Sequence, residues 1–276
     1  MATAVLSIEN KKNVIAFSVI FSNLKKMFEE TNIYLRESGM YIQIIDSTHA
    51  CMCEIKLDAS WFDKYEIKHD VVFGINLEVF DKIINCLDRN YTITIQYDEN
   101  SDKVKIILTN GEIFKIFDMC IIMIDADLMD IPEVEYSADI IMKSAVFKDY
   151  FKEFVMFGEY VKINCDEENI TFDINGENTN YKIIVKDKYL EEYAIEEDVS
   201  LSPMYNLSYI SFVTSFIKLN TFMSINISEN YPLKLEYKIK DGKQTDNDKN
   251  ESKENPEETS TFGSMKFYIA PRIDDD

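Results

Sequence analysis

The densest group of reactive side-chain types is the run Asp46-Ser47-Thr48-His49. It contains an acid, two hydroxyls and an imidazole, but consecutive residues of one loop rarely reach the geometry of a catalytic triad, which depends on positions in space. A second candidate, the acidic pair Asp125 and Asp127, has the oxygen ligands that Mg²⁺ prefers. Acidic pairs arise by chance in a chain with 50 Asp and Glu residues. These groups do not predict an enzyme.

The cysteines favour neither a disulfide framework nor a zinc site. They are odd in number and scattered through apolar runs, which favours a reducing compartment: Cys51, Cys53, Cys86, Cys120 and Cys165. Zinc sites use clustered Cys and His ligands, whereas this chain has two histidines and a C-x-C spacing at Cys51 and Cys53. We expect no metal and no cofactor.

Composition predicts a folded chain. The hydrophobic fraction of 46% can bury a sizeable core, and 7 Gly and 5 Pro argue against Gly-rich phosphate loops and Pro-rich linkers. We expect no signal peptide and no membrane span. The net charge of −21 argues on average against nucleic acid, whose phosphates require Lys and Arg. The placement of the charges decides this question.

One β-rich unit with two helices is predicted to occur twice. Helical periodicity marks residues 16–29, 77–87, 145–156 and 204–218, so helices one and three begin about 129 residues apart and helices two and four about 127. The segment that begins at Glu37 matches the one that begins at Glu167, at a shift of 130. Period-2 runs predict strands between the helices, at 40–45, 91–97, 104–109, 161–165, 170–174, 181–185, 222–227 and 233–239.

The seam between the copies is expected in the acidic, Pro132-containing stretch. We predict an N-terminal domain over residues 1–120, a connector over 121–136 and a C-terminal domain over 137–276. Residues 241–262 are almost wholly polar and are interpreted as a flexible insertion within a hairpin.

The helix faces opposite the apolar stripes are richer in basic than in acidic residues. The basic residues are Lys25, Lys82, Arg89, Lys148, Lys152 and Lys218, against the acidic Glu29 and Glu78. Such a surface suits contact with phosphates. The alternative is an ordinary solvated helix face, because Lys26, Asp81, Asp149 and Glu153 lie beside these rows.

Five collinear segments resemble the eukaryotic-type DNA sliding clamps, the proliferating cell nuclear antigen family. They are the Ser-Gly strand and Asp-Ser-Thr-His loop at 38–49, the entry to helix two at 73–84, the Asp-Ile-Pro-Glu-Val-Glu-Tyr run at 130–136, the Tyr-Pro-Leu hairpin strand at 231–239, and the tail at 267–274. They are spread from residue 38 to residue 274, so the resemblance extends along nearly the whole chain.

The resemblance implies the α+β DNA clamp fold and no catalytic activity. It implies a nuclear homotrimeric ring around double-stranded DNA, whose helices line a central channel and whose strands near 113–117 and 181–185 pair across subunits, through Ile113, Phe117, Tyr181 and Val185. As a polymerase processivity factor, the ring would be opened by a clamp loader. It would tether DNA polymerase, flap endonuclease and ligase type proteins, in replication and repair, through short peptide motifs.

The partner site carried over from the family is an apolar pocket for a helical turn with aliphatic and aromatic anchors. It comprises Ile45, His49, Ala50, Met129, Ile131, Pro132, Tyr231, Pro232, Tyr268, Ala270, Pro271 and Ile273. For Ile45, Met129 and Ile131, ordinary core packing is the alternative.

The chain departs from the family at several basic positions. Ser18 and Val19 replace a Lys-Lys pair, and Asn85, Asp149 and Ser215 replace further basic residues. The lysine that accepts ubiquitin in the family is replaced by Glu167, so signalling through that position is expected to be absent. The weaker basic face keeps open an alternative, a clamp-like subunit that acts as a monomer with a polymerase or within a heterotrimeric checkpoint ring.

Overall fold

The computed structural model describes residues 2–229, 231–240, 242 and 261–272. The first copy of the repeat contains β1 (Ala4–Ile8), α1 (Lys11–Leu24), β2 (Glu30–Arg36), β3 (Gly39–Ile45), β4 (Cys51–Asp58), β5 (Lys64–Ile67), β6 (Val71–Asn76), α2 (Leu77–Ile84), β7 (Thr92–Tyr97), β8 (Lys103–Thr109) and β9 (Phe114–Cys120). The second contains β10 (Ala138–Lys143), α3 (Ser144–Phe154), β11 (Tyr160–Cys165), β12 (Asn169–Asn175), β13 (Asn180–Lys186), β14 (Glu192–Ile195), β15 (Met204–Asn206), α4 (Leu207–Val213), β16 (Phe222–Ile227), β17 (Leu233–Lys240) and β18 (Thr261–Ile269).

The predicted duplication is confirmed by the order of the elements. Each copy runs strand, helix, five strands, helix, three strands, and each has a 3₁₀ turn before its fifth strand, at Ala59–Trp61 and Asp187–Tyr189. Adding nine to each strand number of the first copy gives the corresponding strand of the second. The chain is thus α+β, with two similar β-rich halves that carry two helices each.

The contacts divide the chain into two compact units. Unit 1 comprises residues 1–44, 54–128 and 238–265, and unit 2 comprises residues 45–53, 129–237 and 266–276. The strands β3, β4, β17 and β18 therefore contribute residues to both units.

The strand order within each unit follows the same plan. In unit 1 one sheet has the order β5-β1-β7-β8-β9, and β4-β3-β2-β6 are neighbours in another. In unit 2 the order β14-β10-β16-β17-β18 corresponds to the first, and the four-stranded sheet β13-β12-β11-β15 corresponds to the second. All pairs with described registers are antiparallel, as the period-2 patterns predict.

Aromatic side chains fill the space beneath the helices. In unit 1, Phe21 of α1 lies 4.6 Å from Phe17 and 4.6 Å from Phe80 of α2, measured between ring centroids. In unit 2, Phe151 of α3 lies 4.4 Å from Phe147 and 5.4 Å from Phe172 of β12. The apolar stripe of each helix is therefore fixed against its own unit, and the polar stripe is left outward.

The first helix begins earlier than predicted. The prediction placed it at 16–29, whereas α1 spans Lys11–Leu24 because the side chain of Asn10 accepts hydrogen bonds from the backbone N–H groups of Lys12 and Asn13 and caps the helix. Its first turn is polar on the outer side, which is why apolar periodicity did not reveal it.

The other predicted elements agree with the structure to within a few residues. All eight predicted strands lie within one residue of β3, β7, β8, β11, β12, β13, β16 and β17. The helix α2 ends at Ile84 and α4 at Val213, where 3₁₀ geometry follows, so both are shorter than predicted. None of the helices in the described part of the chain is long and apolar enough to cross a membrane.

The predicted polar insertion falls almost wholly outside the described residues. Of residues 241–262 the structure describes Gly242, Thr261 and Phe262. Because β18 begins at Thr261, the last two residues of the predicted insertion belong to a strand.

Candidate functional site

The loop that carries His49 and Ala50 is built around the carboxylate of Asp46. One oxygen accepts hydrogen bonds from the backbone N–H groups of Ala50 and Cys51, at 2.8 and 2.7 Å. The other accepts from the backbone N–H of Thr48 at 3.1 Å and from the hydroxyl of Tyr209 in α4 at 2.9 Å. His49, with φ of 59°, lies exposed at the turn of this loop. The Asp-Ser-Thr-His run is therefore a folded loop in which the acid bonds to backbone, rather than a catalytic triad.

These bonds hold the pKa of Asp46 below its ordinary value. Burial alone raises the pKa of this carboxyl, and the hydrogen bonds from the Thr48 hydroxyl, the Cys51 backbone and Tyr209 outweigh that effect. A lowered folded pKa means that ionised Asp46 stabilises the fold above the ordinary Asp value of about 3.8. This stabilisation is lost as the pH falls through the folded pKa.

We expect Asp46→Asn to lower the free energy of unfolding by about 2–3 kcal/mol at pH 7, since an amide cannot accept all of these bonds. Denaturant unfolding measures this, and the difference from wild type should shrink below about pH 4. Asp127→Asn, in the exposed connector, should stay within about 0.5 kcal/mol of wild type. Equal effects of the two substitutions would contradict the assigned role of Asp46.

The C-terminal tail lies against this loop within unit 2. The backbone N–H of Ala270 donates to the carbonyl of Ala50 at 2.9 Å, and that of Arg272 donates to the carbonyl of Met204 at 2.7 Å. The guanidinium of Arg272 also lies 4.4 Å from the ring centroid of Tyr160. The structure thus brings Ala50 and Ala270, two of the predicted partner-site residues, into direct contact.

The other predicted partner-site residues differ in exposure. Tyr231 is 40% exposed and its ring centroid lies 6.3 Å from that of Tyr136. Met129 is 55% exposed. Three more are exposed: Pro132, Pro232 and Ala270. Four are half-buried: Ile45, Ile131, Tyr268 and Pro271. The predicted residue Ile273 lies outside the described residues.

The connector is anchored at its start by backbone contacts in unit 1. Ile122 forms an isolated β-bridge with Gly74, and the side chain of Asn32 donates to the carbonyl of Ile124 at 3.0 Å. A Cβ atom at Gly74 would lie 2.5 Å from the carbonyl oxygen of Ile122, so only glycine permits this approach. Beyond these contacts the connector has no regular secondary structure through Tyr136.

Two of the predicted DNA-facing lysines form ion pairs with acids. Lys25, directly after the end of α1, binds the carboxylate of Asp81 in α2, and Lys82 lies 2.7 Å from Glu78 one helical turn away. The hydrogen bond from Lys82 lowers the pKa of Glu78, and the charges of Lys82 and Lys25 add to the effect. The positive charge predicted for this part of unit 1 is therefore largely neutralised in place.

The remaining predicted basic residues are exposed. Lys148 and Lys152 lie on α3, while Arg89 and Lys218 lie beyond the ends of α2 and α4. The early start of α1 adds Lys11 and Lys12, which sequence reasoning missed. Both are exposed, and neither is ion-paired among the residues that the structure describes. The Asn10 cap was the sequence signal that could have revealed them.

Two sheets end in edge strands of the same design. β9 pairs with β8 alone and β13 with β12 alone in the described pairings. In both strands exposed residues alternate with half-buried ones, and the last but one residue is buried. The exposed apolar residues on them include Ile116 at 58% and Ile184 at 59%. Of the four predicted interface residues, Ile113 is 54% exposed, but Val185 is 8% exposed and belongs to the core of unit 2. Phe117 and Tyr181 are half-buried.

Comparison with known proteins identifies the family. Residues 8–130 match the model of the proliferating cell nuclear antigen N-terminal domain, and residues 130–246 match that of its C-terminal domain. The two matches meet within the predicted connector. The fold is similar to that of the proliferating cellular nuclear antigen from Entamoeba histolytica, with a TM-score of 0.83 at 21% identity over 99% of this chain and all of that one. The chain belongs to the proliferating cell nuclear antigen family of eukaryotic-type clamps and has the DNA clamp fold.

Proposed function

We propose that three copies of this chain close into a ring around duplex DNA and tether replication and repair enzymes to it, without catalysing a reaction. Membership of the family supports the general role of sliding clamp and processivity factor. The observation that carries the trimeric ring is that β9 in unit 1 and β13 in unit 2 are end strands of their described sheets and carry the exposed apolar residues Ile116 and Ile184.

Edge pairing would satisfy the backbone of both strands. An exposed strand edge presents free N–H and C=O groups and invites association with another chain. Since β9 and β13 differ from each other, their pairing is heterologous and leads to a ring when the rotation closes. Pairing would also cover Ile116 and Ile184, which are more than half exposed in the single chain.

The helical faces would meet the phosphates of the enclosed DNA with modest attraction. Lys11, Lys12, Lys148 and Lys152 are exposed there, whereas Lys25 and Lys82 are paired with acids. A weakly basic inner face suits a protein that is held on DNA by topology, because its retention then does not require the salt-sensitive phosphate contacts of an ordinary DNA-binding protein.

The surface around the Asp46 loop would receive the tethered enzymes. The loop, the tail at 270–272 and the connector residues from Met129 onward all belong to unit 2. Their exposed and half-buried apolar side chains suit a short peptide that inserts a helical turn. Tethering raises the effective concentration of the bound enzyme at its DNA site. DNA polymerase, flap endonuclease and ligase type proteins in the nucleus are the proposed partners, and a clamp loader is proposed to open the ring.

Retention on circular DNA tests the ring directly. Once loaded, the clamp should stay on closed circular DNA at salt concentrations that dissociate proteins bound to DNA by electrostatic attraction alone. It should leave when the circle is cut into a linear molecule. Gel filtration of labelled clamp with its DNA measures the retained fraction. Loss from intact circles at moderate salt would contradict the ring and favour a clamp-like subunit that acts as a monomer or in a heterotrimer.

A further inference from the structure

We propose that Asp81 holds Lys25 in an ion pair and so keeps it from contacting DNA phosphates. This buried acid therefore reduces the electrostatic attraction between the clamp and DNA. The inference rests on the proposed function, since it concerns the strength of phosphate contact inside the ring. It also reassigns Lys25, which the sequence placed among the DNA-contacting residues.

Asp81 is an acid in an unusual place. It lies on α2 and is 1% exposed, and the other buried residues of this helix are apolar: Leu77, Phe80, Ile83 and Ile84. One of its oxygens accepts from the ammonium of Lys25 and, at 2.9 Å, from the side-chain amide of Asn85. The other oxygen is buried and has no hydrogen-bond partner among the residues that the structure describes. Such a carboxylate depends on its cation, because a buried charge is costly unless it is paired.

The ammonium of Lys25 is therefore held between two helices. Lys25 follows the last residue of α1, Leu24, and its side chain is 37% exposed, so the long stem could turn outward if nothing held it. Turning outward would leave Asp81 buried with only Asn85 as a donor. A solvent-screened phosphate contact compensates poorly for the loss of a buried ion pair. Lys25 thus remains with Asp81 when DNA is present.

The neighbouring charges reinforce this balance. Glu78 and Lys82 form a pair on the adjacent turn of α2, and the charge of Lys25 contributes to the lowered pKa of Glu78. Lys25 and Lys82 together carry the same amount of charge as Glu78 and Asp81, with opposite sign. These four side chains therefore offer DNA no net positive charge, in contrast to Lys11 and Lys12 at the start of α1.

The test is a double-mutant cycle read from the salt dependence of binding to a linear duplex. Asp81→Asn should free Lys25, tighten binding several-fold at low salt, and steepen the slope of log K against log salt by about one for each lysine that engages a phosphate. Lys25→Gln in the wild-type background should change the slope little. In the Asp81→Asn background it should remove the whole gain.

Two outcomes would overturn the proposal. One is a Lys25→Gln variant that loses as much of the slope as Lys148→Gln, which removes an exposed lysine of α3. The other is an Asp81→Asn variant that binds DNA like wild type. Lys25→Gln alone leaves the buried Asp81 without its cation. If that variant fails to fold, the comparison of Asp81→Asn with the double variant still shows whether Lys25 causes the gain in binding.

The matched control frees a lysine away from the helices. Glu66→Gln removes the same charge and releases Lys64, 3.0 Å away on strand β5, and it should leave the slope unchanged. Retention on closed circles, measured in parallel, separates this proposal from the ring. If wild type is retained on closed circular DNA but Asp81→Asn does not change binding to the linear duplex, the proposal about Lys25 is refuted and the ring stands. If wild type is lost from closed circular DNA while the double-mutant cycle gives the expected slopes, the ring is refuted and the proposal about Lys25 stands.

Discussion

Ile184→Asp is expected to convert the proposed trimer into monomers. Ile184 is 59% exposed on the edge strand β13, and the proposed pairing with β9 of another copy would cover it. Burial of an isoleucine contributes about 1.5–3 kcal/mol in full, whereas a carboxylate in the same place costs several kcal/mol without a partner. A closed ring contains three copies of the contact, so one substitution weakens all three.

Light scattering after size exclusion measures the outcome. Wild type should give about 97 kDa, three times the chain mass of 32.3 kDa, and Ile184→Asp should give the mass of one chain. Val72→Asp is the control, since Val72 is 49% exposed on strand β6 and lies outside the proposed contact. A wild-type chain that stays monomeric at every concentration, or an Ile184→Asp variant that stays trimeric, would rule out this interface.

Replacing both Met129 and Ile131 by alanine is expected to abolish most peptide binding. These connector residues belong to the predicted partner site, and Met129 presents 55% of its surface to solvent. Removing an apolar contact at the centre of an interface costs about 2 kcal/mol or more, which corresponds to a loss of roughly thirty-fold or more in affinity. Calorimetry with a peptide that carries aliphatic and aromatic anchors measures the change.

The connector itself supplies the control for this experiment. Met123 is fully exposed in the same segment and is not part of the predicted site, so Met123→Ala should bind the peptide like wild type. The Met129 and Ile131 double variant should keep its trimer mass and its retention on circular DNA, because both residues lie outside the strand edges. Unchanged peptide affinity in the double variant would place the partner site elsewhere.

The strands could be predicted from the sequence because their evidence is local. Alternation of apolar and polar residues places a strand to within one residue, as at Phe222–Ile227, and turn residues mark where it ends. The duplication was visible for the same reason, since two runs of similar pattern recur at a nearly constant offset. Family motifs such as the Asp-Ser-Thr-His loop added the identity of the fold.

Helix ends were predicted less well because capping decides them. Periodicity reports the apolar stripe, and the stripe of α1 continues to Phe28, which is still 4% exposed after the helix has ended at Leu24. The beginning of α1 depends on one side chain, Asn10. Because the prediction overlooked this cap, it left two exposed lysines, Lys11 and Lys12, out of the helix.

The sequence by itself determined the class of protein, an α+β clamp chain built from two similar halves. Its family is recognisable from five collinear segments. The tertiary structure decided which strands have an unpaired edge, that Ile184 rather than Val185 faces outward, and that Lys25 belongs to Asp81. The reason is distance along the chain. Periodicity and motifs are read between near neighbours, whereas an edge, an exposed side chain or an ion pair between residues 56 positions apart exists only after remote segments have packed together.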